Sequence, residues 1–212
     1  KSRIIREEKS RNQLRDSLIK WNDQEFKTYA NRFYSYYWTN ISSDVHLRHA
    51  NLIIGADKEN LKLKIFIEPL KDQGVTEVSI YTQDHLGLFA RTCAALALAG
   101  TSVQDARIVT TKDGMTVNTF LVRSADASSI IEQKNRLNIL IETIRKTITE
   151  ERSPKVLMKE FQSVQIPSRR DSFIIEPRVL IDNLSSRSHT VIEINSKDKI
   201  GSMDLLGIDK NN

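Results

Sequence analysis

The sequence predicts an α+β chain, with a helical N-terminal segment followed by strands and helices in the order β-α-β-β-α. Three observations carry that prediction. Seven glycines and four prolines in 212 residues are about half the usual share of turn-formers, which favours long helices over a many-stranded sandwich. The apolar pattern changes from helical to β-type after Gly74. A strand-plus-loop piece, Val78-Ser79-Ile80-Tyr81-Thr82-Gln83-Asp84-His85-Leu86-Gly87, returns as Ile192-Glu193-Ile194-Asn195-Ser196-Lys197-Asp198-Lys199-Ile200-Gly201. The two Asp residues lie 114 positions apart, so the chain holds an internal repeat.

In chain order, Ile4, Ile5, Leu14, Leu18 and Ile19 fit one helical stripe within the first twenty residues. Asn22 or Asp23 is placed to cap a second helix running from Gln24 to about Trp38, with Phe26, Tyr29 and Phe33 on one face. Ser43 or Asp44 caps a third through about Ala56, and this helical unit ends near Glu68–Pro69. Val75–Tyr81 reads as a strand with Val78 and Ile80 on one face. Asp84 opens a helix of small apolar residues (Ala90, Cys93, Ala94, Ala95, Ala97) that Gly100 stops. Thr101–Thr111 and Met115–Val122 are strands joined by the hairpin signal Asp113-Gly114. Ser128 or Ser129 caps a helix to about Thr149 that carries Leu137, Leu140, Ile141, Ile144 and Ile148 on one stripe. One further strand is needed to complete a split βαβ sandwich; Phe173–Asp182 is strand-like, with Val179, Leu180 and Ile181 as a short apolar run. Residues 150–172 form a polar, basic connector, and Thr190–Ile194 opens the second copy.

Composition and motifs exclude several classes. Lys and Arg number 32 against 27 Asp and Glu, an excess that permits an anionic partner without requiring one. A single cysteine, Cys93, excludes an intrachain disulfide and a cysteine-rich metal site; its small-apolar helix makes it a packing residue. The longest small-apolar run is far short of the roughly 20 residues that span a bilayer, and no signal peptide opens the chain, so a soluble protein of a reducing compartment is expected. His46 and His49, three apart, read as packing residues because two ligands do not make a metal site. Gly201-Ser202 with Asp204 lacks the paired carboxylates of a nucleotidyl-transfer site. No catalytic residue is therefore assigned in this chain.

Asp-x-x-Gly between a strand and a small-residue helix has a physical use. The glycine lets a ligand approach the backbone, and the helix N-terminus offers N–H groups to a carboxylate. With the β-α-β-β-α order, this resembles the ACT domain, a small amino-acid-sensing regulatory fold of ferredoxin-like architecture. Tyr81 through Arg91, Ala95-Leu96-Ala97-Leu98-Ala99-Gly100, Asp105-Ala106-Arg107-Ile108, Thr110 through Met115 and Asn118-Thr119-Phe120 look more specifically like the C-terminal part of bacterial bifunctional uridylyltransferase/uridylyl-removing enzymes. Tyr37-Trp38, Arg48-His49-Ala50 and Arg178-Val179-Leu180-Ile181-Asp182-Asn183 support that likeness. The resemblance implies a helical tail at 1–72 leading from an upstream catalytic region, a first ACT domain at 73–183 completed by the strand near Val179, and an incomplete second one at 189–212.

It further implies a glutamine-sensing segment of a cytoplasmic enzyme that modifies the PII nitrogen-signalling protein. The ligand-binding residues are then Asp84, His85, Gly87, Leu88 and Ser102, with Asp198 and Gly201 in the second copy. No cofactor is expected in this chain; the magnesium of the full-length enzyme belongs to catalytic domains whose motifs are absent from it. Paired ACT units are expected, a membrane is not. The family commonly has Pro at the positions of Leu86 and Ile200, and Asn at the position of Ser102. Two other readings stand beside this one: a non-functional remnant of a truncated gene, and an RNA-binding module of the same strand order. The second is poorly served by a third strand that offers only Phe120 as an aromatic.

Overall fold

In the computed structural model the described residues are 2–125, 129–149 and 156, with the strand segments 178–182 and 191–195. Four helices come first: α1 (Ser2–Ser17), α2 (Asp23–Asn31), α3 (Ser35–Asn40) and α4 (Ser43–Lys58). Asn22 caps α2 through a full capping box, its side chain accepting from the Glu25 N–H while Glu25 accepts from the Asn22 N–H. The continuous helix expected from Gln24 to Trp38 is broken between α2 and α3. No glycine or proline marks the break. There the Arg32 carbonyl accepts the Lys112 N–H at 2.8 Å, so a tertiary contact with a distant turn replaces a helical hydrogen bond.

The strands are β1 (Leu63–Leu70), β2 (Val75–Gln83), β3 (Thr101–Thr110) and β4 (Met115–Ser124). They form one antiparallel sheet in the order β1-β2-β4-β3. Helix α5 (Leu88–Leu98) joins β2 to β3, and α6 (Lys134–Thr149) follows β4. The α+β class and the β-α-β-β-α order thus hold. Helix α6 starts later than Ser129 because Ser129 accepts from the Ser124 N–H and Ile131 exchanges two hydrogen bonds with Thr76 Oγ1 at the sheet's end.

β1 departs from the helical unit that the pattern up to Glu68–Pro69 predicts. Leu63–Leu70 was expected to close the helical segment; it is the edge strand beside β2, the place that the last strand of a split βαβ sandwich takes. Leu63, Ile65 and Ile67 turn toward the core and alternate with Lys64, Phe66 and Glu68. Pro69 is tolerated because the strand lies at the edge. The strand around Val179, β5 (Arg178–Asp182), pairs instead with β6 (Val191–Asn195). Arg178↔Asn195 matches Lys64↔Tyr81 with both partners shifted by 114 residues, and the remaining pairs follow the same shift. The repeat therefore includes its leading strand: Ile65-Phe66-Ile67-Glu68 corresponds to Val179-Leu180-Ile181-Asp182.

Both faces of the four-stranded sheet are covered. Val78, Ile80, Phe120 and Val122 pack against Leu88, Leu96, Leu140 and Ile144 of α5 and α6. Tyr81, Val109 and Val117 on the other face pack against Leu14, Phe33, Tyr37, Trp38 and Ile53 of the helical segment. Phe33 stacks on Tyr37 with ring centroids 3.9 Å apart. The small residues of α5, Cys93 among them, are buried as expected.

A polar seam fixes α4 to the sheet. His49 lies between the Tyr37 hydroxyl and Thr119 Oγ1, 2.9 Å from the latter, and Thr119 meets Ser79 at 3.0 Å. Arg48 grips the buried Glu77 with Nε and Nη2 at 2.9 and 2.7 Å. His46 and His49 are packing histidines in this structure, both without solvent exposure. Burial, with the nearby His46, Arg48 and Arg107 charges, pushes the His49 pKa from the ordinary 6.5 down to about 3. Burial lowers that of His46 as well.

Arg48→Ala leaves Glu77 buried and uncompensated, and urea denaturation is expected to read a loss of about 3 kcal/mol. His49 stays neutral when folded and takes up a proton when unfolded, so its contribution is complete above pH 6.5 and fades as pH falls toward 3. Stability at pH 5 is expected to be about 2 kcal/mol below that at pH 7, and a His49→Gln chain should show a visibly flatter dependence over that interval.

Candidate ligand site at the strand–helix loop

β2 runs out at Gln83, and residues 84–87 turn the chain into α5. Asp84 does not cap α5, as the sequence led one to expect. Its N–H donates to the Gly114 carbonyl at 2.9 Å, and its Oδ2 accepts from Thr110 Oγ1 at 3.3 Å, so the hairpin between β3 and β4 holds it. The helix begins only at Leu88, with Gly87 as its N-cap at φ +81° and no side-chain cap on the first turn. The Leu88 N–H returns to the His85 carbonyl at 3.1 Å. Nothing stands within 4 Å of where a Gly87 Cβ would be; backbone conformation, not space, requires glycine there.

Asp84, His85 and Leu86 are exposed. His85 turns its Nδ1 to the Leu86 carbonyl, 3.1 Å away. The Leu88 side chain is buried in the α5–α6 core, so only its backbone faces the loop's surroundings. The loop offers a carboxylate, an imidazole and an uncapped helix N-terminus close together.

Ser102 is not brought to this loop. It pairs with Arg123 at the far end of β3 from Thr110, roughly 25 Å away along the strand at about 3.3 Å per residue. It accepts from Gln104 Nε2 at 3.2 Å. Asp198 and Gly201 lie outside the described residues.

Two groupings escaped the sequence reading. A cavity of about 150 Å³ opens at the seam, lined among others by Asp44, Arg48, Glu77, Asp105 and Arg107. Its charges are paired with one another: Arg48 with Asp44 and Glu77, and Arg107 with Asp105 at 3.2 Å. The other is the contact set of Arg32, which joins Asp57, Tyr81 and Asp113. Tyr81 and Asp113 stand in the motifs quoted above, but no local pattern ties them to Arg32, 49 residues before Tyr81. Among the described residues, no group of three or more His, Cys, Asp or Glu side chains is placed to hold a metal ion. Nor, among them, is any helix long and apolar enough to cross a membrane.

Fold and loop together define a class: a split βαβ module with an Asp-x-x-Gly strand–helix loop, sealed on its second face by helices. Relatives make the class particular. The chain is 34% identical over 191 residues, 90% of its length, to the bifunctional uridylyltransferase/uridylyl-removing enzyme of Rhodospirillum rubrum. Proteins of the same name from Gluconobacter oxydans and Azospirillum brasilense are 36% and 34% identical over 79% and 89% of the chain. The chain spans about a fifth of the length of these relatives (20, 18 and 20%). No family model matches it. The resemblance read from the motifs therefore holds: the chain is related to a segment of the bifunctional uridylyltransferase/uridylyl-removing enzymes.

Gly87→Ala should cost about 1 kcal/mol in thermal or urea unfolding, since alanine at φ +81° is strained whatever the space around it. An unchanged midpoint would show that the loop refolds around the substitution.

Proposed function

We propose that the chain is the amino-acid-sensing regulatory segment of a bifunctional uridylyltransferase/uridylyl-removing enzyme, with glutamine as effector. The observation that carries the reading is the loop of residues 84–87. Gly87 in the left-handed region leaves the first turn of α5 without a side-chain cap beside the exposed Asp84. The α-carboxylate of an amino acid fits the free N–H groups and positive dipole end of α5, while its ammonium group fits Asp84. His85 borders the same space.

The sheet and helices are those of an ACT domain in this reading, and the second copy, with β5 and β6 as its first two strands, is its partner. Pairing gives Ser102 its place: the serine of one unit meets the loop of another, since within one unit the two are held apart. Asp198 and Gly201 repeat the loop in the second copy.

Glutamine bound between the units favours one arrangement of them and biases the attached catalytic regions between uridylylation and deuridylylation of the PII protein. The segment itself needs no cofactor; magnesium serves the catalytic regions. The setting is the cytoplasm. An RNA-binding role fits less well, because the sheet face that such modules present to RNA is packed here against α1–α4.

Calorimetric titration of the chain with glutamine tests the reading, with Asp84→Ala as control. Saturable heat in the wild type, lost in Asp84→Ala at an unchanged unfolding midpoint, is the expected result. A folded chain that gives no heat contradicts it and brings forward the reading of a remnant that senses nothing.

A further inference from the structure

We infer that Arg32 is the positioning residue that ties the strand–helix loop at Asp84 to the helical segment. Arg32 sits where α2 breaks off, with its side chain only 16% exposed. Its Nη1 is 2.8 Å from Asp57 Oδ2 at the end of α4, and its Nε is 2.8 Å from Asp113 Oδ2 in the β3–β4 turn. Nη2 donates to the Tyr81 hydroxyl on β2, and the guanidinium lies 5.6 Å from the Tyr81 ring centroid. The Arg32 carbonyl accepts the N–H of Lys112 in the same turn at 2.8 Å. One residue thus holds the turn by a backbone hydrogen bond and a side-chain ion pair, and its guanidinium hydrogen-bonds Asp57 and Tyr81 through a planar fork that no lysine reproduces.

The held turn is also the one that holds the loop. Gly114, next to Asp113, accepts the Asp84 N–H, and Thr110 donates to the Asp84 carboxylate. Two routes therefore lead from Asp84 to Arg32: along β2 to Tyr81, and across the hairpin to Asp113. Residues 75–82 of β2 are buried on both faces and yield little. Asp113, by contrast, is 46% exposed at a turn tip. A shift of the loop is taken up at that tip and reaches α2 and α4 through Arg32. What the loop senses rests on the function proposed above; the tie itself does not.

Amide hydrogen exchange on the 212-residue chain tests this without ligand. Arg32→Gln is expected to raise exchange several-fold at residues 82–88 and 110–116, through local opening of the loop and turn that Arg32 ties. Exchange in the α5–α6 core, at residues 92–97 and 140–148, should rise by no more than the fall in global stability read from urea unfolding requires. Asp113→Asn should act in the same direction, and the double variant should exceed the larger single effect little, because both cut one link. Arg32→Lys, which keeps the charge and loses the fork, should stay nearer Arg32→Gln than the wild type. Asp113→Asn decides alone if Arg32→Gln does not fold.

Unchanged exchange at 82–88, or an equal rise in the α5–α6 core, overturns the inference. With glutamine added to the wild type, slower exchange at residues 24–40 is expected. Heat of binding without any change there overturns the inference and leaves the sensing reading intact. Absence of heat removes that reading and leaves Arg32 to be judged on the ligand-free comparison.

Discussion

β2 is buried on both of its faces from Val75 to Thr82, and most of the structure answers that constraint. An antiparallel sheet commonly leaves one face to water; Glu77 and Ser79, on the face of Tyr81, would ordinarily belong there, while Thr76 and Thr82 are polar positions on the opposite face beside Val78 and Ile80. Each of the four is buried and satisfied from another element. Thr76 exchanges hydrogen bonds with Ile131, and Thr82 donates to the Lys62 carbonyl. Ser79 meets Thr119, and Arg48 neutralises Glu77. A buried carboxylate without its arginine would cost several kcal/mol, so α4 has to sit where it does. The aromatic segment follows: with α4 fixed, Phe33, Tyr37 and Trp38 fill the space over Tyr81, Val109 and Val117.

Local chemistry was legible in the sequence wherever a residue type admits few conformations. Asn22 with Glu25, the glycine after α5 and the Asp113-Gly114 hairpin all work as their types dictate. β1 was legible in principle, since Leu63, Ile65 and Ile67 alternate with polar or exposed neighbours. Comparing 65–68 with 179–182 would have extended the repeat to include it. What was not legible depends on distant partners. The break after Asn31 has no glycine or proline behind it; it arises because Arg32 turns to Asp57, Tyr81 and Lys112–Asp113. Asp84 fails to cap its helix for the same kind of reason, its carboxylate accepting from Thr110 Oγ1 on the hairpin instead of from the first turn of α5.

The candidate site shows the same division. Gly87 and the exposed Asp84 and His85 could be read from Asp-x-x-Gly alone. That Leu88 is a core residue and that Ser102 stands at the other end of β3 could not. A loop anchored by one hairpin, which is in turn gripped by Arg32, gives the sheet a mechanical connection to the helices that neither motif nor composition announces. If the loop senses an amino acid, that connection runs through a sheet whose interior cannot yield, and the compliant parts are its turns.

The central claim is that helical segment and sheet are one cooperative unit, joined across the polar seam. The chain's two tryptophans, Trp21 and Trp38, both report on the helical side, while its one cysteine, Cys93, is buried in α5 on the opposite face of the sheet. Equilibrium unfolding in guanidinium chloride, followed by tryptophan fluorescence and by Cys93 reactivity toward a thiol reagent, compares the two faces directly. Coincident transitions with one midpoint are predicted. A fluorescence transition complete before Cys93 becomes reactive would contradict the claim and make the helices a separable layer.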